Sequence, residues 1–336
     1  MMRFTQKLLN KFAIETVKSR QRSEPDLHAA YLTGSILSES PLLGGVTDID
    51  LVLVHKYQAP VEREVLGLTD EISLDIVHKR KEEYDQHRQL RQDPWMGYPL
   101  TRNHILLFDT DHWLEFIQAS VSADFHRPDN VLVRSNLFLN TAREAWFSLI
   151  QTPSETHLDW LHRYLEVLAL AANAISGLIG PPLTTRRFLI TFNQRSQTLG
   201  VPNLITGFFG LLGFSEDERG LLTTWHEGLE LDFNHLHVTA VPPTHLNECR
   251  QRYYLDGIKA LIEGETPDHA LWPLLRTWID IHLVMPEPSP GEEIWEACIT
   301  ALNLTEDQAE QKIEALDAYL DTIEINIESW ANAYGI

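Results

Sequence analysis

Cysteine is scarce. The two residues, Cys249 and Cys298, lie far apart without metal-type spacing. This excludes a disulfide framework and a cysteine-based zinc site, and it reads as a reduced, cytoplasmic chain. Long apolar runs are also missing: none approaches the roughly 18 residues of a membrane span, so no membrane partner is expected. The stretch Met1–Lys7 lacks the unbroken apolar core of a signal peptide. No repeat of fixed period is found, which excludes a solenoid. Basic residues are few: 27 Lys and Arg stand against 48 Asp and Glu, a formal net charge of −21. Such a field repels nucleic-acid backbones and attracts cations.

What is present is enough hydrophobic matter, 43% of 336 residues, for more than one core. The excess of acid is uneven. Residues 1–130 hold 20 acids and 15 bases, and residues 131–336 hold the other 28 acids and 12 bases. Apolar positions at Phe4, Leu8, Leu9, Phe12, Ala13 and Val17 predict a helix over 4–20. Strands are predicted at Leu27–Leu32, Ile49–His55, Ile72–His78 and His104–Phe108, with a surface helix over 79–92. From about residue 131 the pattern is helical: Leu137–Ile150, Leu158–Ser176, 184–199, 203–213 and 215–231. After a Pro242-Pro243 boundary it continues through Leu246–Gly264, His269–Val284, Glu292–Leu302 and Glu306–Ala333. Strands and helices do not alternate, so the expected class is α+β. A small mixed sheet over 1–130 leads into a helical domain over 131–240 and a helical extension over 241–336. The Leu/Ile/Trp stripes of 292–333 read as a helical hairpin offering an interaction surface, and a homodimer is one arrangement open to it.

The residues that carry chemistry lie in the first segment. Side chains alternate along a strand, so Asp48 and Asp50 share one face while Ile49, Leu51 and Leu53 point to the other. Two carboxylates so close repel each other and call for a cation. Magnesium, an oxygen-seeking ion commonly held by one or two carboxylates and by phosphate oxygens, suits the pair. Asp75, alone among Leu74, Ile76 and Val77 on the following strand, reads as a third ligand. Gly34-Ser35 ends the first strand, where glycine admits close backbone approach and serine donates to a phosphate.

Taken together, Gly34-Ser35, Thr47-Asp48-Ile49-Asp50 and Leu74-Asp75-Ile76-Val77 resemble the signature of the DNA polymerase beta nucleotidyltransferase superfamily. The order of segments over roughly 25–237 is similar to the kanamycin (aminoglycoside) nucleotidyltransferase group. Where the family carries Arg-Gly after Gly-Ser, this chain has Ile36-Leu37-Ser38-Glu39-Ser40-Pro41, a departure that touches the phosphate contacts and leaves the carboxylates in place. The resemblance implies transfer of a nucleoside monophosphate, AMP from ATP first among them, to an acceptor hydroxyl. In it, Asp48, Asp50 and Asp75 bind Mg2+, while Gly34, Ser35 and Thr47 hold the nucleotide. By position, Glu144 corresponds to that group's general base. The acidic helical half favours a small cationic acceptor, such as an aminoglycoside-like compound, over nucleic acid. Two alternatives are a nucleotidyltransferase acting on protein or tRNA, and a non-catalytic binding protein that keeps the fold.

Overall fold

The computed structural model describes residues 4–38, 40–101, 106–286 and 288–336. The chain divides into two compact units, 1–127 with 243–257, and 128–242 with 258–336. The class is α+β: a five-stranded mixed sheet near the amino terminus, followed by helices.

In the first unit, helix α1 (Gln6–Ser23) opens on Thr5, whose hydroxyl accepts from the Leu8 N–H. Its Leu9, Ala13 and Val17, spaced by four, form the buried stripe. Strand β1 (Leu27–Leu32) is buried along its whole length. Strands β2 (Thr47–His55), β3 (Arg63–Gly67) and β4 (Ile72–Arg80) follow. After two short helices, α2 (His87–Gln92) and α3 (Pro94–Gly97), comes β5 (Leu106–Asp109). The sheet order is β3-β4-β2-β1-β5. The pair β2–β4 is parallel, and the other three are antiparallel. Helix α4 (Trp113–Phe125) buries Leu114, Ile117, Val121 and Phe125.

Three elements differ from the sequence expectation. Strand β3 was not foreseen: it is a charged edge strand with its ends exposed, and it lacks the apolar alternation by which strands are read. The helix expected over 79–92 is instead the end of β4, a 3-10 turn at Lys81–Tyr84 and α2. Tyr84 is drawn inward, where its hydroxyl meets that of Tyr31 at 2.7 Å. The run of helices that follows the sheet begins at α4, before residue 131. Its start is capped from a distance, with Asp109 accepting from the N–H groups of Leu114 and Glu115. Of the expected strand His104–Phe108, residues 104 and 105 lie outside the described residues.

The second unit contains α5 (Pro128–Gln151), α6 (His157–Ser176), α7 (Phe188–Thr198), α8 (Asn203–Leu212) and α9 (Leu222–Thr239). The unit boundary at 257 falls inside α10 (Gln251–Ile262). Helices α11 (Leu271–His282), α12 (Glu292–Ala301) and α13 (Ala309–Tyr334) complete it. Residues 241–336 are therefore no unit of their own. Segment 258–336 packs within the helical unit, α13 against α5 and α6, and α11 against α6 and α9, while 243–257 joins the sheet. Trp160, Trp225, Trp272, Trp278 and Trp295 build core here, and Trp272 stacks on Phe188 at 4.2 Å between ring centroids. No described helix is long and apolar enough to cross a membrane.

Candidate functional site

The parallel pairing of β2 with β4 sets Asp50 opposite Asp75 in register. Alternation then brings Asp48 to the same face. One carboxylate oxygen from each of the three residues lies within 4.8 Å of the other two. Asp48 and Asp75 are buried, at 3% and 2% exposure, and Asp50 keeps a partly exposed edge. Ile49, Leu51 and Leu53 anchor β2 from the opposite face in the core.

Two arginines that the sequence did not single out complete the group. Arg63, on β3, grips Asp75 with both Nε and Nη2, the Nε contact being 2.6 Å. Arg250 donates from Nη1 to Asp75 Oδ2 at 2.6 Å and from Nη2 to Asp48 Oδ2 at 2.8 Å. It enters on the 3-10 turn Glu248–Arg250, whose Asn247 cap accepts from the Cys249 N–H. That turn packs on β3, close enough that a Cβ at Gly67 would sit 3.1 Å from Cys249 Cβ.

Neither arginine bonds Asp50. Burial, then the carboxylates of Asp48 and Asp75, hold its carboxyl well above the usual carboxylate range, and the two guanidinium groups offset this only in part. Were all three carboxyl groups ionised, the two guanidinium groups would leave one negative charge unmatched, a deficit that favours the protonated Asp50 carboxyl and that a bound cation would meet instead. This deficit and the all-oxygen donor set fit a hard divalent cation such as magnesium.

Gly34 and Thr47 make the approach possible. Gly34 has φ +69°, and a Cβ there would fall 1.7 Å from Asp50 Oδ2. The Thr33 N–H donates to the Asp50 carbonyl at 2.9 Å, tying the turn to the strand. The Ser35 and Thr47 hydroxyls lie 3.2 Å apart, and that of Thr47, fully buried, also donates to the Pro41 carbonyl. Thr47 therefore positions Ser35 and its loop, and the half-buried Ser35 is the hydroxyl with access. The Gly34→Ala variant is expected to push the Asp50 carboxyl aside and to cost divalent-metal affinity roughly 10- to 100-fold, the scale of a ligand that loses its placement. Calorimetric titration checks this; parent affinity in Gly34→Ala would remove Asp50 from the ligand set.

Glu144 belongs to the other unit, exposed on α5. Its neighbour Arg143 pairs with Asp317, Asp321 and Glu324 on α13. Within the first unit, the residues brought together are Gly34, Ser35, Thr47, Asp48, Asp50 and Asp75, with Arg63 and Arg250 added.

A second group, Glu24, His55 and His78, also has its donor atoms within 4.8 Å. Here the two imidazoles are nearly coplanar, with His55 Nε2 facing His78 Nδ1 at 2.8 Å, and His78 Nε2 meets Glu64 Oε1 at 3.0 Å. Nitrogens aimed at each other across 2.8 Å are a hydrogen bond, with no room for an ion between them.

No protein-family model matches the chain, and no curated protein matches it.

Proposed function

We propose that this protein is a magnesium-dependent nucleotidyltransferase. One observation carries the reading: three carboxyl groups converge on one sheet face beside a Gly-Ser turn, and the two arginines that pair with them leave Asp50 without a guanidinium partner. In the proposed reaction, an acceptor hydroxyl oxygen bonds to the α-phosphorus of a nucleoside triphosphate, ATP first, the bond to pyrophosphate breaks, and the hydroxyl proton passes to water. Asp48, Asp50 and Asp75 would hold the magnesium, whose bound charge stabilises negative charge on phosphate oxygens.

The chain's own groups supply placement. Arg63 fixes the Asp75 carboxyl from both oxygens. The open turn at Gly34 gives the Asp50 carboxyl its room. With the Thr47 proton on the Pro41 carbonyl, Ser35 Oγ donates to Thr47 Oγ1, and it would turn that one proton to a phosphate oxygen on binding. For the acceptor we favour a small hydroxylated cation, drawn by the acidic sequence of 131–336, over protein or tRNA.

A second reading has an observation of its own: Arg63 and Arg250 already neutralise two of the carboxylates. In a non-catalytic protein these ion pairs would be permanent and structural. The two readings separate on binding of labelled ATP with magnesium. The enzyme reading expects binding that is lost in Asp48→Ala with Asp50→Ala; equal binding by parent and double variant refutes it. Aminoglycosides and tRNA offered with α-labelled triphosphate then identify the acceptor. Label on tRNA or protein, with none on a small molecule, reverses the order of acceptors.

A further inference from the structure

Arg250 reaches the carboxylates across 202 residues of sequence to Asp48 and 175 to Asp75. Its side chain is 5% exposed. The segment that carries it is held in several ways. The Arg250 N–H donates to the Asn247 carbonyl at 2.8 Å, and the guanidinium lies 4.6 Å over the Tyr253 ring. The Tyr254 hydroxyl donates to the His245 carbonyl at 3.0 Å. A folded clip thus delivers one cation to two of the three carboxylates that would ligate a metal.

The two cations conflict. Arg63 touches Asp75 alone, from a side chain 44% exposed, whereas Arg250 bridges Asp48 and Asp75 from a buried position. A divalent ion added beside both arginines overshoots neutrality by one charge. With Arg250 withdrawn, the three carboxyl groups, Arg63 and the ion balance. Like charges sharing the same carboxylates in a buried site repel strongly, because little water screens them. Arg250 Nε, buried and without a hydrogen bond among the described residues, leaves the guanidinium a donor for another acceptor. Phosphate oxygens suit it, since a guanidinium fork takes them in pairs.

We propose that Arg250 is a cationic latch on this site: it bridges Asp48 and Asp75 in the metal-free protein and moves to phosphate oxygens when a triphosphate brings in a divalent ion. The inference rests on the metal–nucleotide reading above and assigns that site its regulation. Metal alone then binds weakly, because it must displace a buried guanidinium that has nowhere to go. Metal with triphosphate binds well, because the released cation gains an anion.

The test uses the full chain and Mn2+ as probe, with free Mn2+ read by electron paramagnetic resonance and no nucleotide present. Arg250→Gln is expected to bind Mn2+ about tenfold or more tightly than the parent, within the usual range of coupling between two sites. Unchanged or weaker Mn2+ binding in a folded Arg250→Gln overturns the latch while leaving the metal site standing. Loss of Mn2+ binding in both proteins, even with a non-hydrolysable triphosphate, overturns the latch and the metal–nucleotide reading together. Should Arg250→Gln fail to fold, the parent itself decides. The 15N signal of Arg250 Nε is expected to shift when Mg2+ and the triphosphate analogue are added together. An unmoved signal at saturating nucleotide overturns the latch.

Discussion

Asp50→Asn is expected to stabilise the metal-free protein by about 1 kcal/mol, the usual gain from relieving a functional-site penalty. It is expected at the same time to cost the proposed nucleotidyl transfer about 10³-fold or more, roughly 4 kcal/mol of barrier. The two signs come from one geometry. Asp50 sits between Asp48 and Asp75 with no guanidinium of its own, and burial and those two neighbours raise its pKa. An amide of the same shape removes the repulsion, keeps the turn at Gly34 clear and cannot supply a negative charge to a metal. Chemical denaturation in chelator gives the first quantity, and transfer of an α-labelled nucleotide gives the second. A loss of stability alongside lost activity would mean that the Asp50 charge is a structural partner and no strained ligand.

Asp232→Asn is expected to destabilise the helical unit by about 3 kcal/mol, the cost of leaving buried donors without their acceptor. Asp232 is fully buried, and all of its hydrogen bonds come from donors. Oδ1 accepts from Ser289 Oγ at 2.6 Å and the Gly291 N–H at 2.7 Å. Oδ2 accepts from Trp278 Nε1 at 2.7 Å and His282 Nε2 at 2.8 Å. One carboxylate thus ties α9 to α11 and to the start of α12. An asparagine must turn its NH2 toward one of these donor pairs, so it opposes two contacts while keeping two.

The pH dependence follows. Burial pushes the Asp232 carboxyl up, but its bonds from His282, Ser289, Trp278 and Gly291 outweigh this and hold it below the usual range. The folded state therefore binds this proton less readily than the unfolded chain. The stability it confers is complete above the unfolded value, about 4, and is lost as pH falls through the lower folded value. Thermal unfolding followed by tryptophan fluorescence should show a shallower acid limb for Asp232→Asn. Parallel limbs in parent and variant would show that this carboxyl titrates alike in both states.

The parts of this molecule that were legible in the sequence are those written in a short period. Asp48 and Asp50 are two apart on a strand whose alternate residues are apolar, and Asp75 interrupts an apolar run on the next strand, so the three could be matched before their contacts were seen. Strand β3 was illegible because an edge strand need not alternate, and Arg63-Glu64 looks like loop. Helix α4 was missed because its cap, Asp109, lies on the strand before it and acts across residues in left-handed conformation, Asp111 and His112. Arg250 was invisible for a different reason. A lone arginine in Asn247-Glu248-Cys249-Arg250 carries no sign of burial, and only the fold brings it to carboxylates on β2 and β4. The same fold splits the expected C-terminal extension, because the helical pattern of 241–336 shows which residues coil and says nothing of which core they join.

Sharing of a divalent cation by Asp48, Asp50 and Asp75 is what the proposed function requires first. It is tested most directly by crystals of the full chain grown with Mn2+ and a non-hydrolysable triphosphate, with data collected at the manganese edge. An anomalous peak bounded by the three carboxylates, with Arg250 turned from Asp48 and Asp75 to phosphate oxygens, is the predicted result. A map in which Arg250 still bridges Asp48 and Asp75, with manganese elsewhere or unbound at saturating nucleotide, would contradict it.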